Sequence, residues 1–422
     1  MNDKKTIWSW AFYDFANSTF ATLVLTFIYS TYFTKAIAIN EVDGTWLWSG
    51  SVSISMLIIA ILSPFLGALA DTWGAKKKLL ILTSWICIIA TALLYYPTKG
   101  QVTEALVLFI IANVAFEVSC IFYNAYLPEI STTKNIGSIS GYGWSFGYIG
   151  ALLCMAIAMI GFVNAETPWF GLSKIDGENI RATNLLVAGW FALFSLPLFL
   201  FVKEKKKPNK SLQGVIRKSF SQVTSTFKEI KEHKNIAIFL LARLIYNDGL
   251  VTIFSFGAIY AAGTFNFSFE EIMIFGVALN VAAGFGAFAM GFFDDKLGGK
   301  RTIQVSLLFL IIASVIALLA ETKESYWVAG ILVGLASGPN QSASRSFIGR
   351  VVPPAKVNQF FGFFSFSGKL TAFLGPAVFG FVTKITESQR YGISTVIPFF
   401  VLGLIILHFV KEDEEITLDQ HT

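Results

Sequence analysis

Six ionisable side chains fall inside long apolar runs of this 422-residue chain: Asp14, Glu117, Arg243, Asp248, Arg345 and Lys369. A charge in hydrocarbon is costly, so each is a functional candidate by default. Three acids against three bases fit internal pairing, or a cavity that accepts a zwitterion. Asp14, Asn17 and Ser18 share one helix face at i, i+3 and i+4. Asp14 stands about two turns from the end of its run, so a gate role and a solute contact are both open. Asn113, Glu117, Cys120 and Asn124 form a second stripe, with Glu117 near mid-depth. There, desolvation disfavours the charged carboxyl, so Glu117 could carry a proton. The alternative is a glutamate permanently paired to a base for packing. A third run places Arg243, Tyr246 and Asn247 on one face and turns Asp248 to another. Farther on, Gln341 and Arg345 are one turn apart, as are Asn340 and Ser344. Gly338-Pro339 just before them is expected to kink the helix and free carbonyls. Arg345, close to its helix end, reads as an anion anchor or as a latch, and Asp14 is expected to meet Arg345 or Arg243. Lys369 comes near mid-membrane, about 11 residues into its run at 1.5 Å each. Tyr142, Trp144 and Tyr148 fit packing or an aromatic belt, with ligand contact as the other reading.

The elements that must position these groups are membrane helices. Hydrophobic residues make up 55% of the chain and charged residues 14%. Mean hydropathy is +0.64. Soluble domains carry about 25% charged residues, so the deficit points to an integral membrane protein. At about 20 apolar residues per crossing, twelve spans can be drawn. They run near 8–33, 46–70, 78–97, 102–126, 137–163, 183–202, 236–263, 270–293, 301–320, 325–348, 358–383 and 390–410. The first is too long for a signal-peptide core and is expected to be retained. The predicted fold is all-α: two six-helix bundles, residues 1–202 and 236–422, joined by a basic linker over 203–235. With the amino terminus inside, Lys and Arg divide 22 inside against 7 outside, and 12 against 7 without the linker. Both termini are therefore expected to be cytoplasmic. The net charge of +5 reflects topology and attraction to anionic lipid, so no nucleic-acid partner is expected. In the linker, Leu212, Val215, Ile216, Phe220, Val223, Phe227 and Ile230 fall at helical spacing, with Arg217, Lys218, Lys228 and Lys231 largely off that stripe. An amphipathic helix on the inner membrane surface is predicted, against a plain tether. Cys87, Cys120 and Cys154 read as small core residues, and His233, His408 and His421 do not cluster, so no metal is expected. No cofactor is expected either.

One signature is repeated. G-x-x-x-D-x-x-G-x-K-[KR] occurs at Gly67, Asp71, Gly74, Lys76 and Lys77, and again in the second half at Gly291, Asp295, Gly298, Lys300 and Arg301. Each first glycine allows close helix contact. Each aspartate can meet a helix N-terminus or a neighbouring base. The second glycine permits a tight turn, and the basic pair is expected to anchor the loop at lipid headgroups. Such a loop can lock one conformation and release another. Gly141 and Gly147 are echoed by Gly362 and Gly368 at nearly the same offset as the two loops, which supports duplication.

This loop resembles the signature between the second and third helices of the major facilitator superfamily, recurring here between the eighth and ninth. The chain resembles more narrowly the vacuolar amino-acid effluxer-like family, also called the unknown major facilitator family. The resemblance rests on WAFYDFANSTF (Trp10 to Phe20), NAYLPEI (Asn124 to Ile130), YNDG (Tyr246 to Gly249) and the long block from Gly338 to Pro376. Ser342 and Gln359 depart from the family pattern, where Ala and Glu are common. The resemblance implies that the first, fourth, seventh and tenth helices line a central cavity. Asp14, Asn17, Glu117, Asn124, Tyr246, Asn247, Asp248, Asn340 and Gln341 are then the cavity candidates. It implies a monomeric secondary transporter that works by alternating access, moving a small polar solute, an amino acid first, as an effluxer. Protons could be the coupling ion. A drug or lipid exporter, a proton-coupled importer and a non-transporting receptor or scaffold are the alternatives. Short loops fit a bacterial cytoplasmic membrane, or a vacuolar membrane in a eukaryote. An enzyme is not expected: no convergent nucleophile and base appear, and no G-x-x-x-x-G-K-[ST] loop is present for ATP hydrolysis.

Overall fold

The computed structural model describes residues 4–204, 212–228 and 233–411. Every regular element among them is helical. The N-terminal half contains α1 (Lys4–Thr19), α2 (Glu41–Trp73), α3 (Lys76–Leu93), α4 (Val102–Asn124), α5 (Ile136–Ala158) and α6 (Thr183–Phe201). After α1 the chain continues through π-helical turns at Phe20–Phe27 and Phe33–Ile37, wider turns that re-aim the helix. The linker forms α7 (Leu212–Lys228). The C-terminal half contains α8 (Lys234–Phe265), α9 (Phe269–Leu297), α10 (Gly299–Leu319), α11 (Lys323–Val351), α12 (Val357–Lys369), α13 (Leu374–Thr386) and α14 (Val396–His408).

Ten helical stretches among the described residues are long and apolar enough to cross a membrane. Two further long helices, α3 and α11, lie where spans are expected without reaching that apolarity. Lys76, Lys77 and Lys78 open α3. In α11 most polar residues from Ser337 onward are buried inside the protein, Asn340 and Ser344 completely, with Gln341 half-buried. A helix enclosed by neighbours need not present an apolar surface to lipid.

Contacts divide the chain into two compact units. Unit 1 holds residues 1–62, 73–123 and 146–210. Its core is aromatic: Trp10 and Tyr13 both stack on Tyr123, with ring centroids 4.6 and 4.8 Å apart. The indole of Trp10 donates to the Tyr123 carbonyl at 3.0 Å. Unit 2 holds residues 63–72, 124–145 and 211–422. It therefore joins the end of α2 and the start of α5 to the C-terminal helices.

Helix continuity departs from the sequence reading at one place. The Gly338-Pro339 pair lies inside α11, which runs past it as one helix. The carbonyl that loses its partner to Pro339 is that of Leu335, and Gly286 of α9 leaves it room, since a Cβ there would collide with it. A break falls in the eleventh span, between α12 and α13. Pro376 stands in the first turn of α13, where a missing N–H costs nothing, so the helix restarts there.

The linker helix is present, but its described contacts are not apolar. Ser219 and Thr226 are buried. The Gln222 amide donates to Gln359 Oε1 at 2.8 Å, and Thr72 donates to Gln222 Oε1 at 3.0 Å. The side chains of Leu212, Val215, Ile216, Arg217, Phe220, Phe227 and Lys228, and residues Ile230 and Lys231, lie outside the described set.

Candidate functional site

Within unit 2 the duplicated loops make duplicated contacts. Asp71, at the end of α2, accepts from the backbone N–H groups of Asn358 and Gln359 at 3.3 and 2.8 Å, and from the Asn358 amide at 2.8 Å. Asp295, at the end of α9, accepts from Gly137 and Ser138 N–H at 2.7 and 3.0 Å. Each carboxylate thus closes the N-terminus of a helix, where free N–H groups and the helix dipole favour negative charge. The partners are related as the loops are: Gly137 and Ser138 correspond to Asn358 and Gln359 under the offset that relates Gly141 to Gly362. The glycines make the approach possible. A Cβ at Gly67 would collide with the Asn358 carbonyl, and one at Gly291 would crowd Gly137. Gly141 and Gly362 lie in the same manner on the Ala287 and Ser63 carbonyls.

Sequence reasoning missed one part of this site. Asp294 is 1% exposed and pairs with Arg350, 2% exposed, at 2.6 Å. Ser346 also donates to Asp294, and Arg350 reaches Asp295 at 3.6 Å. A charge pair this deep holds only if nearly every lone pair is met, and these contacts meet them. The signal available was the Asp294-Asp295 doublet, which makes the second loop copy unlike the first.

The basic pairs also make contacts within the protein. Lys76 is buried. Lys77 donates through Nζ to the Val202 carbonyl at 2.6 Å, and its N–H meets Glu204 at 3.0 Å. Lys300 donates to the carbonyls of His408 and Val410 at 3.1 and 2.6 Å. Each loop therefore spends a lysine on the carbonyl end of the last helix of its own half, where a cation is favoured. Arg301 is exposed.

The tenth-span residues form a polar seam. Tyr246 and Ser344 share a hydrogen bond at 2.8 Å, and Asn340 donates to Ser306 at 3.0 Å. Gln341 reaches Asn247 at 3.5 Å, and Asn247 donates to the Gly368 carbonyl at 3.0 Å. Arg345 donates from Nε to Ser140 Oγ at 3.0 Å, to the Ser140 carbonyl at 2.7 Å and to Asn124 at 3.2 Å, with Trp144 5.6 Å away. Arg243 donates to the Phe364 carbonyl and Ser367 Oγ at 2.7 and 3.0 Å, lying over the Phe364 ring. Lys369 ends α12 and is half-buried.

In unit 1 the expected stripe on α4 is divided among partners. Asn113 donates to Ser55 at 2.7 Å. Asn17 reaches the Cys120 sulfur at 3.7 Å, and Ser18 reaches Asn17 at 3.5 Å. Asn113 is thus engaged away from Glu117, which is half-exposed, as is Asp14. Gly147 lets α5 approach the Ser18 hydroxyl and the Asp14 carbonyl. An apolar cleft of about 200 Å³ in unit 2, lined by His233, Leu240, Phe360 and Phe363 among others, contains none of the candidate residues.

Comparison with known proteins fits this architecture. The fold matches a proton:xylose symporter of the major facilitator superfamily, with TM-score 0.73 and 13% identity over 98% of this chain and 97% of that one. It matches a human organic anion transporter with TM-score 0.74, over 96% and 99%. The class is that of a multi-pass membrane protein and secondary transporter, not an enzyme. The profile of the vacuole effluxer Atg22-like family matches residues 37–417, and the chain belongs to that family. An uncharacterized MFS-type transporter of Bacillus subtilis is 28% identical over 98% of this chain and 96% of the relative. Autophagy-related protein 22 of Saccharomyces cerevisiae is 24% identical over 84% and 76%.

Proposed function

We propose that this transporter exports a small polar solute, amino acids first, by alternating access, crossing the membrane twelve times with both termini cytoplasmic. The observation that carries the reading is the paired clasp of Asp71 on Asn358 and Gln359 and of Asp295 on Gly137 and Ser138. Two equivalent charge-to-helix-end contacts can release and re-form together, as a switch between two access states requires. Gly67, Gly74, Gly291 and Gly298 give the loops their close packing and turns, and Asp294 with Arg350 stiffens the second one.

The half-exposed Asp14, Glu117, Asn124, Gln341 and Lys369 are assigned to the solute pathway. The buried Asn17, Tyr246, Asn247 and Asn340 are assigned to the same pathway by the family resemblance. Carboxylate, amide and ammonium groups together suit a zwitterion better than an apolar drug. Efflux is supported by the family's description as effluxers, and the bacterial relative supports a cytoplasmic membrane. The working unit is taken as a monomer.

The test is flux from proteoliposomes preloaded with a panel of labelled amino acids, with and without a pH gradient. Saturable efflux of at least one amino acid is expected. Complete absence of flux across the panel, with folded protein, would favour a receptor or scaffold, or a different solute class.

A further inference from the structure

Asp248 on α8 is 2% exposed. Among the described residues no cationic side chain pairs with it; its one polar contact is Thr371, whose hydroxyl lies 3.3 Å from Oδ1. Of the charged groups on the packed elements, the two arginines are engaged elsewhere. Arg243, on the same helix, is spent on the Phe364 carbonyl and Ser367. Lys369 ends α12, Arg345 on α11 is held by Ser140 and Asn124, and the Tyr246 hydroxyl is bonded to Ser344. Beyond these, Lys384 and Arg390 stand at one end of the helices and His408 at the other.

An ionised carboxylate so buried, with no counter-charge, is strongly disfavoured against a neutral one. The hydrogen-bond geometry also accommodates the neutral form. The Thr371 hydroxyl has two acceptors in reach, Asp248 Oδ1 at 3.3 Å and the Leu244 carbonyl at 3.4 Å, but a single proton. If Asp248 is protonated, it donates to Thr371, and Thr371 donates to Leu244. A metal cation would require several oxygen ligands, and among the described residues one hydroxyl lies within hydrogen-bond reach of the Asp248 carboxyl.

The position is also mechanical. Thr371 lies in the break between α12 and α13, and Asn247, beside Asp248, donates to the Gly368 carbonyl just before that break. Gly375 lets α13 rest on the Asp248 carbonyl and Thr252 Oγ1. A change in the charge of Asp248 therefore acts on the point where the eleventh span is discontinuous, the kind of backbone on which transporters build ion sites.

We propose that Asp248 is the proton-binding site of this transporter, taking up a proton as a neutral carboxylic acid bonded to Thr371 and releasing it when the broken span rearranges. In the coupling step this rests on the transport function proposed above; proton occupancy does not.

The test is infrared titration of the purified full-length protein in lipid nanodiscs. A protonated-carboxyl band is expected near neutral pH that disappears in Asp248→Asn and persists in Glu117→Gln. Thr371→Val, which leaves the carboxyl in place, is expected to move the midpoint of that band by about one pH unit, the worth of one hydrogen bond. If Asp248→Asn does not fold, Thr371→Val alone decides, and an unmoved midpoint overturns the proposal. So does a wild-type spectrum identical to that of Asp248→Asn. Loss of the band when NaCl replaces choline chloride at fixed pH would identify a sodium site and also overturn it. In proteoliposomes Asp248→Asn is expected to lose the acceleration of efflux by a pH gradient. An Asp248 band with no solute flux would leave the proton site standing while removing the transport reading.

Discussion

Asp71 and Asp295 act by charge and direction together. Each places two carboxylate oxygens against consecutive N–H groups at a helix start. An asparagine would keep the size but lose the charge, and could offer one of those N–H groups only its own NH2. The expected loss is about 1–2 kcal/mol, or roughly 5- to 30-fold in the balance between access states. Cysteine-accessibility measurements on Asp71→Asn and Asp295→Asn should show that shift with solute affinity nearly unchanged. Lost binding with unshifted accessibility would refute the clasp. Asp294 and Arg350 belong to a different regime, that of a buried pair. Arg350→Met leaves Asp294 without its cation and should destabilise the protein by about 3–5 kcal/mol. Adding Asp294→Leu should recover most of that loss in a thermal unfolding assay in detergent. A double variant no more stable than the single one would show that the pair is not a unit.

At the scale of the element, the linker helix α7 is joined to α12 by amides. The Gln359 side chain donates to Thr226 at 3.0 Å and to the Gln222 carbonyl at 3.3 Å, while accepting from Gln222. It is completely buried. This accounts for the departure from glutamate at 359: a carboxylate could accept but not donate, and would face the Gln222 carbonyl. Gln359→Glu should cost about 1–3 kcal/mol of docking and speed hydrogen exchange across Leu212–Lys228. Unchanged exchange would show that α7 is held by something other than this amide pair. Ser342 has no such account; it is buried, and its hydroxyl has no partner among the described residues.

For the whole molecule, the distribution of basic residues makes a topological prediction. Lys134 and Lys174 are both exposed and lie, along the chain, before and after α5 and its continuation. With Cys87, Cys120 and Cys154 replaced by alanine, Lys174→Cys should react with an impermeant maleimide in intact cells. Lys134→Cys should react only after permeabilisation. The reverse pattern would invert the proposed orientation.

Much was written in the sequence by itself. Apolar runs of membrane length, a loop signature present once in each half and the basic asymmetry determined an all-helical membrane protein of two related halves. Composition and period suffice for this, because lipid accepts little other than helices whose backbone is satisfied internally. The roles of individual polar residues depended on the tertiary structure. Asn113 and Glu117 share a helix face in sequence, yet Asn113 turns to Ser55 on a neighbouring helix. Pro339 frees the Leu335 carbonyl without ending α11, and Gly286 stands opposite that carbonyl, while a break comes before Pro376 in a run that reads as one span. Arg350 looks like one more basic residue at a helix end until Asp294 is seen against it. Spacing along one helix sets which way a side chain leaves the backbone. What it meets is supplied by parts of the chain far away in sequence, and only packing brings them within hydrogen-bond reach.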